Sequence, residues 1–169
     1  GLIGRRMASP LRAFDTRILV YDPYLSQQQL GDLGRLVDLP ELLKASDFVS
    51  IHCALTAETH GIIGRRELNL MKPTAYLINT ARAAVVDEEA LLEALKGGKI
   101  AGAALDVFWQ EPLPEDSPFL KLDNVILTPH LGGASDDVKE HQSAVIVEGL
   151  QSFLEGRPPA WIINPDVLA

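Results

Sequence analysis

The sequence has almost no cysteine, no long apolar run and no cluster of basic residues. Its single cysteine, Cys53, excludes an internal disulfide and a cysteine-based zinc site. Because no apolar run reaches the roughly 18 residues of a membrane-spanning helix, a membrane role is disfavoured. Basic residues are outnumbered 15 to 23 by acidic ones, and the net charge of −8 argues against binding nucleic acid. Since no signal peptide is visible either, we expect a cytoplasmic protein without metal, nucleic-acid or membrane partners.

The length and composition fit one globular domain. With 169 residues and a hydrophobic content of 47%, the chain is long enough to bury a full core. It opens on Gly1-Leu2-Ile3-Gly4 without Met or a preceding strand, so we expect it to be part of a longer protein. We predict a domain over residues 1–157 and a separate C-terminal tail over residues 158–169, where periodicity is lost.

Short apolar runs alternate with helical patterns along the chain. Strands that are rich in Val, Ile, Leu and Ala without polar alternation are typical of a parallel sheet covered on both faces. Separated by helices, such strands indicate a doubly wound α/β domain of the Rossmann type. The predicted strands lie at residues 17–21, 34–37, 48–52, 75–79, 100–106 and 124–127.

Several helix ends can be predicted from single residues. Asp38 precedes a helical pattern as an N-cap, and Asp87 is predicted to cap a helix over residues 88–96. Apolar residues at helical spacing predict a long helix over residues 135–155. Pro10 lies inside the first predicted helix, where it would remove a hydrogen bond, so a kink or an early end is expected there.

Gly1, Gly4 and Asp22 form the pattern of a dinucleotide site. Glycines at a helix start let backbone N–H groups approach a pyrophosphate, whose charge the helix dipole favours. Asp22 follows a predicted strand about 20 residues later, where a Rossmann fold places the acid that binds the adenine ribose. No Arg follows in Tyr21-Asp22-Pro23-Tyr24, so NAD is favoured over NADP. The same residues equally suit an ordinary helix start and an Asp-Pro turn.

Three lone polar residues, Arg82, Glu111 and His130, each follow a different predicted strand. In open α/β sheets ligands bind beyond the carboxyl ends of the strands, so these side chains are expected to converge. A cation that holds a carboxylate, an imidazole that exchanges a proton and an acid that orients the imidazole suit proton and hydride transfer at an anionic substrate. Asp106 is a further polar residue at a strand end. Taken singly, each is as readily a solvated loop residue or a turn cap.

These motifs, in this order, resemble the D-isomer-specific 2-hydroxyacid dehydrogenases, which include phosphoglycerate dehydrogenase. The resemblance rests on the opening glycines, Tyr21-Asp22-Pro23, Asn79-Thr80-Ala81-Arg82, the segment 103–112 and Thr128-Pro129-His130-Leu131-Gly132-Gly133. It implies an NAD-binding domain inserted into a discontinuous substrate domain, with a further strand before Gly1. The residues that it implies at the cofactor are Gly1, Leu2, Ile3, Gly4, Asp22, Cys53, Thr80, Ala81, Arg82, Asp106, His130, Gly132 and Gly133.

The resemblance also implies hydride transfer between NAD(H) and the 2-position of a D-2-hydroxy acid or 2-oxo acid. Arg82 would hold the substrate, His130 would donate a proton to the carbonyl oxygen, and Glu111 would hydrogen-bond the imidazole. Two positions depart from the family pattern. Ala83 replaces the Gly that usually follows the Arg, and Ala54 stands where many members have Pro. If the backbone at Ala83 needs a positive φ, the Arg82 loop would be strained.

Other functions are compatible with these residues. Transcriptional corepressors of this fold bind partners in response to NAD(H), and such relatives can keep the three polar residues. Oxidation of formate or phosphonate is a second alternative within the family.

The resemblance implies a homodimer, with exposed helices and the segment 54–70 as candidate contacts. This chain alone is expected to be inactive. Trp109 either lines the substrate pocket or packs in the core, and the substrate's identity does not follow from this chain.

Overall fold

The structure, a computed structural model, describes residues 1–159, 161, 162, 164 and 166. The chain consists of two compact units, Gly1–His130 and Leu131–Ala169. The predicted domain boundary at residue 157 stays a prediction, and the predicted tail 158–169 lies partly outside the described residues. In the part of the chain that is described, no helix is both long and apolar enough to cross a membrane.

The strands of the described chain form two parallel sheets. The first pairs β1 (Leu19–Val20) with β2 (Arg35–Leu36). The second has the order β3 (Phe48–Ile51), β4 (Tyr76–Asn79), β5 (Gly102–Leu105) and β6 (Val125–Leu127). All six predicted strands are confirmed, and each is shorter than its apolar run. Since the pairing is parallel, the carboxyl ends of β4, β5 and β6 lie at one edge of the sheet.

The helices lie between the strands and after them, as predicted for a doubly wound domain. α1 ends one residue after Pro10 and passes into a short 3₁₀ turn, so the early end expected there is confirmed. Asp38, Asp87 and Ser135 each cap a helix by accepting a hydrogen bond from a backbone N–H three residues later. The helices are α1 (Leu2–Leu11), α2 (Gln27–Leu30), α3 (Leu39–Ala45), α4 (Arg65–Leu70), α5 (Glu88–Lys96) and α6 (Asp136–Leu154).

One face of the four-stranded sheet carries the hydrophobic core. Residues of β3, β4 and β5 on this face are buried together with residues of α3, α4 and α5. The alternation of side chains along a strand explains why the buried positions are two residues apart. The fully buried members of this cluster include Leu43, Leu68, Leu77, Leu91, Leu105 and Phe119.

The opposite face of the same sheet is much more exposed. Phe48, Tyr76 and Ile126 on this face are 68%, 44% and 68% exposed. The rings of Phe48 and Tyr76 stack with centroids 5.8 Å apart. In the described chain, these three apolar side chains therefore remain exposed, whereas the opposite face of the sheet carries the buried core.

Candidate active site

Arg82, Glu111 and His130 meet at the carboxyl edge of the four-stranded sheet. They follow β4, β5 and β6, which are neighbours in the sheet. Nδ1 of His130 lies 2.8 Å from Oε2 of Glu111. The charge of Arg82 also acts on the Glu111 carboxylate. Of the three residues expected to converge, Glu111 and His130 are in contact, and Arg82 follows the strand next to that of Glu111.

Both carboxylate oxygens of Glu111 are held. Oε1 accepts a hydrogen bond of 3.0 Å from the backbone N–H of Phe108, while Oε2 faces His130. The hydrogen bond with His130, and next the one from Phe108, lower the pKa of Glu111. An ionised carboxylate can only accept hydrogen bonds, so Nδ1 of His130 is the donor in this pair.

His130 has an unusual backbone conformation. Its φ of 54° lies in the left-handed region, which few residues other than glycine adopt. Its N–H donates to the carbonyl oxygen of Thr128 at 3.0 Å, and the Thr128 hydroxyl donates to Oδ1 of the buried Asp106 at 2.5 Å. The side chains of His130 and Glu111 remain 48% and 38% exposed. Hydrogen bonds thus hold the Glu111–His130 pair, and its partly exposed side chains are accessible to a small molecule.

The loop that carries Arg82 is held by the side chain of Asn79. Asn79 is 1% exposed; its Oδ1 accepts from the N–H of Ala81 and its Nδ2 donates to the carbonyl oxygen of Arg82, both at 3.0 Å. Among described residues other than glycine, a positive φ occurs at Asp15 and His130, and not at Ala83. The strain considered for the Arg82 loop is therefore absent, because Ala83 begins a 3₁₀ turn with an ordinary backbone.

The start of α1 has the properties expected of a pyrophosphate site. Gly1 is the N-cap, and the described structure shows neither a side-chain cap nor an acidic residue in the first turn. Leu2 and Ile3 are 81% and 72% exposed. A Cβ at Gly4 would lie 3.4 Å from Cβ of His52, so the helix start lies in contact distance of the residue after β3. The free N–H groups and the dipole of this helix suit an anionic group.

The remaining predicted cofactor residues lie at strand ends or in the following turns. Asp22 lies two residues after β1, and its Oδ1 accepts from the backbone N–H of Tyr24 at 3.0 Å. Cys53 is a free, exposed thiol two residues after β3. Thr80 and Ala81 directly follow β4, and Asp106 directly follows β5. Gly132 and Gly133 belong to the second unit, in the turn that precedes α6.

Trp109 packs against the domain. Its indole N–H donates to the carbonyl oxygen of Val86 at 3.1 Å, and its ring stacks on Phe119 with centroids 5.6 Å apart. Of its two expected roles, packing is the one that these contacts favour. Within the described residues there is also no group of three or more side chains that would hold a metal ion.

Some residues that position the site were not singled out from the sequence. Asn79 is one, although an Asn at a strand end, three residues before an Arg, is a recognisable signal for a side-chain-braced turn. A hydrogen bond between the side chains of Tyr24 and Glu58 is a second contact that was not predicted from the sequence. These two residues are 34 positions apart, and nothing in the local sequence of either one indicates the contact.

The chain has been compared with known protein families. Residues 1–132 match the model described as "D-isomer specific 2-hydroxyacid dehydrogenase, NAD binding domain". The chain belongs to this family. The first of the two units therefore corresponds to an NAD-binding domain, with the parallel sheet and helices of the Rossmann type.

Individual relatives agree with this family. A glyoxylate reductase of Korarchaeum cryptofilum is 46% identical over 169 residues, which are 99% of this chain and 51% of that protein. The NAD-complexed D-isomer specific 2-hydroxyacid dehydrogenase of Lactobacillus delbrueckii has a TM-score of 0.86 and 32% identity, covering 97% of this chain and 53% of that one. An acyclic imino acid reductase, Bsp5, in complex with NADPH and D-Arg has a TM-score of 0.83 and 34% identity, covering 96% and 51%. The chain thus spans about half the length of these relatives.

Proposed function

We propose that the full-length protein is an NAD-dependent D-2-hydroxyacid dehydrogenase, which reduces a small 2-oxo acid and oxidises the corresponding D-2-hydroxy acid. The observation that carries this proposal is the Glu111–His130 pair beside Arg82. When bound, NADH supplies the hydride for the carbonyl carbon, and NAD accepts it in the reverse direction.

His130 is the acid and base of the proposed reaction. Because Nδ1 donates to Glu111, Nε2 is the nitrogen that gives a proton to the carbonyl oxygen and removes it during oxidation. The ionised Glu111 fixes the orientation of the ring and keeps a proton on Nδ1. Arg82 binds the substrate carboxylate, for which a guanidinium is suited by its paired N–H groups.

The cofactor residues are proposed from the placement of the glycines and Asp22. The N–H groups at the start of α1 bind the pyrophosphate, and the Asp22 carboxylate binds the ribose hydroxyls and disfavours a 2′-phosphate. Cys53, Thr80, Ala81, Asp106, Gly132 and Gly133 complete the proposed cofactor set. We further propose that the protein acts in the cytoplasm as a homodimer, with exposed helices and the segment 54–70 as candidate contacts.

The test is a screen of 2-oxo acids with NADH on the full-length protein, starting with glyoxylate because a relative is a glyoxylate reductase. His130→Gln should lower kcat by about 10²–10⁴-fold, the contribution typical of a general acid. NADH affinity should be nearly unchanged in this variant. His141→Gln, an exposed histidine of α6, is the matched control and should retain full activity.

Two results would contradict the proposal. Unchanged turnover in His130→Gln would show that His130 is not the acid and base of the reaction. NADH binding without reduction of any 2-oxo acid would instead favour the alternative function, in which the protein binds partners in response to NAD(H) as the corepressors of this fold do.

A further inference from the structure

A side-chain hydrogen bond connects the loops that follow strands of two different sheets. Tyr24 lies in the loop after β1, and its hydroxyl donates to Oε2 of Glu58 in the loop after β3. The backbone N–H of Tyr24 donates to Oδ1 of Asp22. Tyr24 therefore contacts two carboxylates, one through its backbone and one through its ring hydroxyl.

The position of Glu58 is fixed by a well-ordered turn. The Thr59 hydroxyl donates to the carbonyl oxygen of Ala54 at 2.6 Å and accepts from the N–H of Thr56 at 2.8 Å. The N–H of His60 donates to the carbonyl oxygen of Thr56 at 3.0 Å. Glu58 is thus presented by a hydrogen-bonded turn to the loop that carries Asp22.

Negative charge accumulates around the Tyr24 hydroxyl. The hydrogen bond to Glu58 raises the pKa of Tyr24, and the charges of Glu58 and then Asp22 act in the same direction. The loop segment Asp22-Pro23-Tyr24-Leu25-Ser26 contains no Lys or Arg. An added phosphate at this place would meet two carboxylates without a cation from this loop.

We propose that the Tyr24–Glu58 pair closes the adenosine end of the cofactor site, and that Glu58 is a second acidic determinant of NAD over NADP beside Asp22. The inference rests on the proposed function, because it assigns Asp22 to the ribose. A phosphate monoester carries about −1.5 to −2 charges at neutral pH, so repulsion from Glu58 adds to that from Asp22. A relative at 34% identity is known in complex with NADPH, so the fold itself accepts either cofactor and local residues must decide.

The test compares the affinities of the full-length protein for NADH and NADPH, measured by fluorescence titration without substrate. Glu58→Gln removes the charge but keeps an oxygen that accepts from Tyr24. Its Kd for NADPH divided by its Kd for NADH should fall about fivefold, the upper range for exposed charges. The control is Glu89→Gln, the same charge change on α5, and its ratio should equal that of the wild type. A ratio in Glu58→Gln that matches the control would overturn the inference.

A double-variant cycle tests the role of Tyr24. Tyr24→Phe releases Glu58 from its position, so Glu58→Gln should change the ratio less in that background than in the wild type. Equal changes in both backgrounds would show that Tyr24 does not position Glu58. Wild-type protein that binds neither cofactor would overturn the proposed function together with this inference, whereas tight NADH binding with an unchanged ratio overturns the inference alone.

Discussion

His130 combines an uncommon backbone conformation with hydrogen bonds that hold its backbone and its ring. A left-handed backbone costs a residue other than glycine on the order of 1–3 kcal/mol. The hydrogen bonds of His130 to Thr128 and Glu111 act against that cost and fix both the backbone and the ring. From the sequence, His130 could be selected as a candidate site residue because it follows a predicted strand. Its backbone conformation could not be predicted. Pro129 and Leu131, its neighbours, contain no signal for a positive φ.

The pKa of Glu111 provides a test at the residue scale. Because His130 is the main cause of the lowered pKa, His130→Gln should raise the Glu111 pKa toward its ordinary value, though Phe108 still holds it somewhat lower. The measurement is a ¹³C NMR titration of the carboxyl groups. Glu93, whose pKa is lowered by Arg65, is the internal control and should not change.

The sign of the effect on stability follows from this direction. The folded state favours the ionised form of Glu111, so its contribution is complete above the unfolded-state pKa of about 4.3. It is lost as the pH falls through the lower pKa of the folded state. An identical Glu111 titration in wild type and His130→Gln would contradict the assigned cause.

At the scale of elements, the strands and helix starts were predictable because each rests on short-range chemistry. Apolar composition indicated the strands, and the capping residues Asp38 and Asp87 indicated where α3 and α5 begin. The spacing of apolar residues indicated α6. Strand lengths were overestimated, since pairing, rather than composition, sets where a strand ends. β1 illustrates this: its apolar run covers residues 17–21, yet it pairs only over Leu19–Val20.

Gly102 in β5 provides a test at the element scale. A Cβ there would lie 2.4 Å from the carbonyl oxygen of Asn124 and 3.0 Å from the ring of Tyr76. Gly102→Ala should therefore destabilise the domain by about 1–3 kcal/mol, because the adjoining backbone must move. Urea unfolding measures this change. Gly64→Ala is the control with room for a Cβ, and its effect should be much smaller; equal losses in the two variants would contradict the close approach.

At the scale of the whole molecule, many large apolar side chains are exposed in the described chain. Phe48 and Ile126 are exposed on the sheet, and Ile146, Leu150 and Phe153 are 62%, 57% and 71% exposed on α6. The sequence could not show this, because apolar composition indicates which residues tend to be buried but not what covers them. Large exposed apolar patches are typical of surfaces that contact protein, membrane or ligand.

The length of the relatives leads to a prediction about these surfaces. The relatives are about two to three times as long as this chain, so we expect the rest of the full-length protein to cover part of the apolar surface. The isolated 169-residue chain should then bind more of the dye ANS per molecule, and associate more strongly in light-scattering chromatography, than the full-length protein. Phe48→Ser should reduce ANS binding in the isolated chain. Equal ANS binding by the short and full-length proteins would contradict this prediction.

The proposed choice of cofactor and the proposed chemistry rest on different loops of the domain. Asp22 and Tyr24 lie in the loop after β1 and Glu58 in the loop after β3. Arg82, Glu111 and His130 instead follow β4, β5 and β6. Substitutions at sites that share no contacts have nearly additive effects. On the proposed assignments, a substitution in the loops of Asp22 and Glu58 that changes the preferred nicotinamide cofactor should therefore leave proton transfer at His130 nearly unaltered.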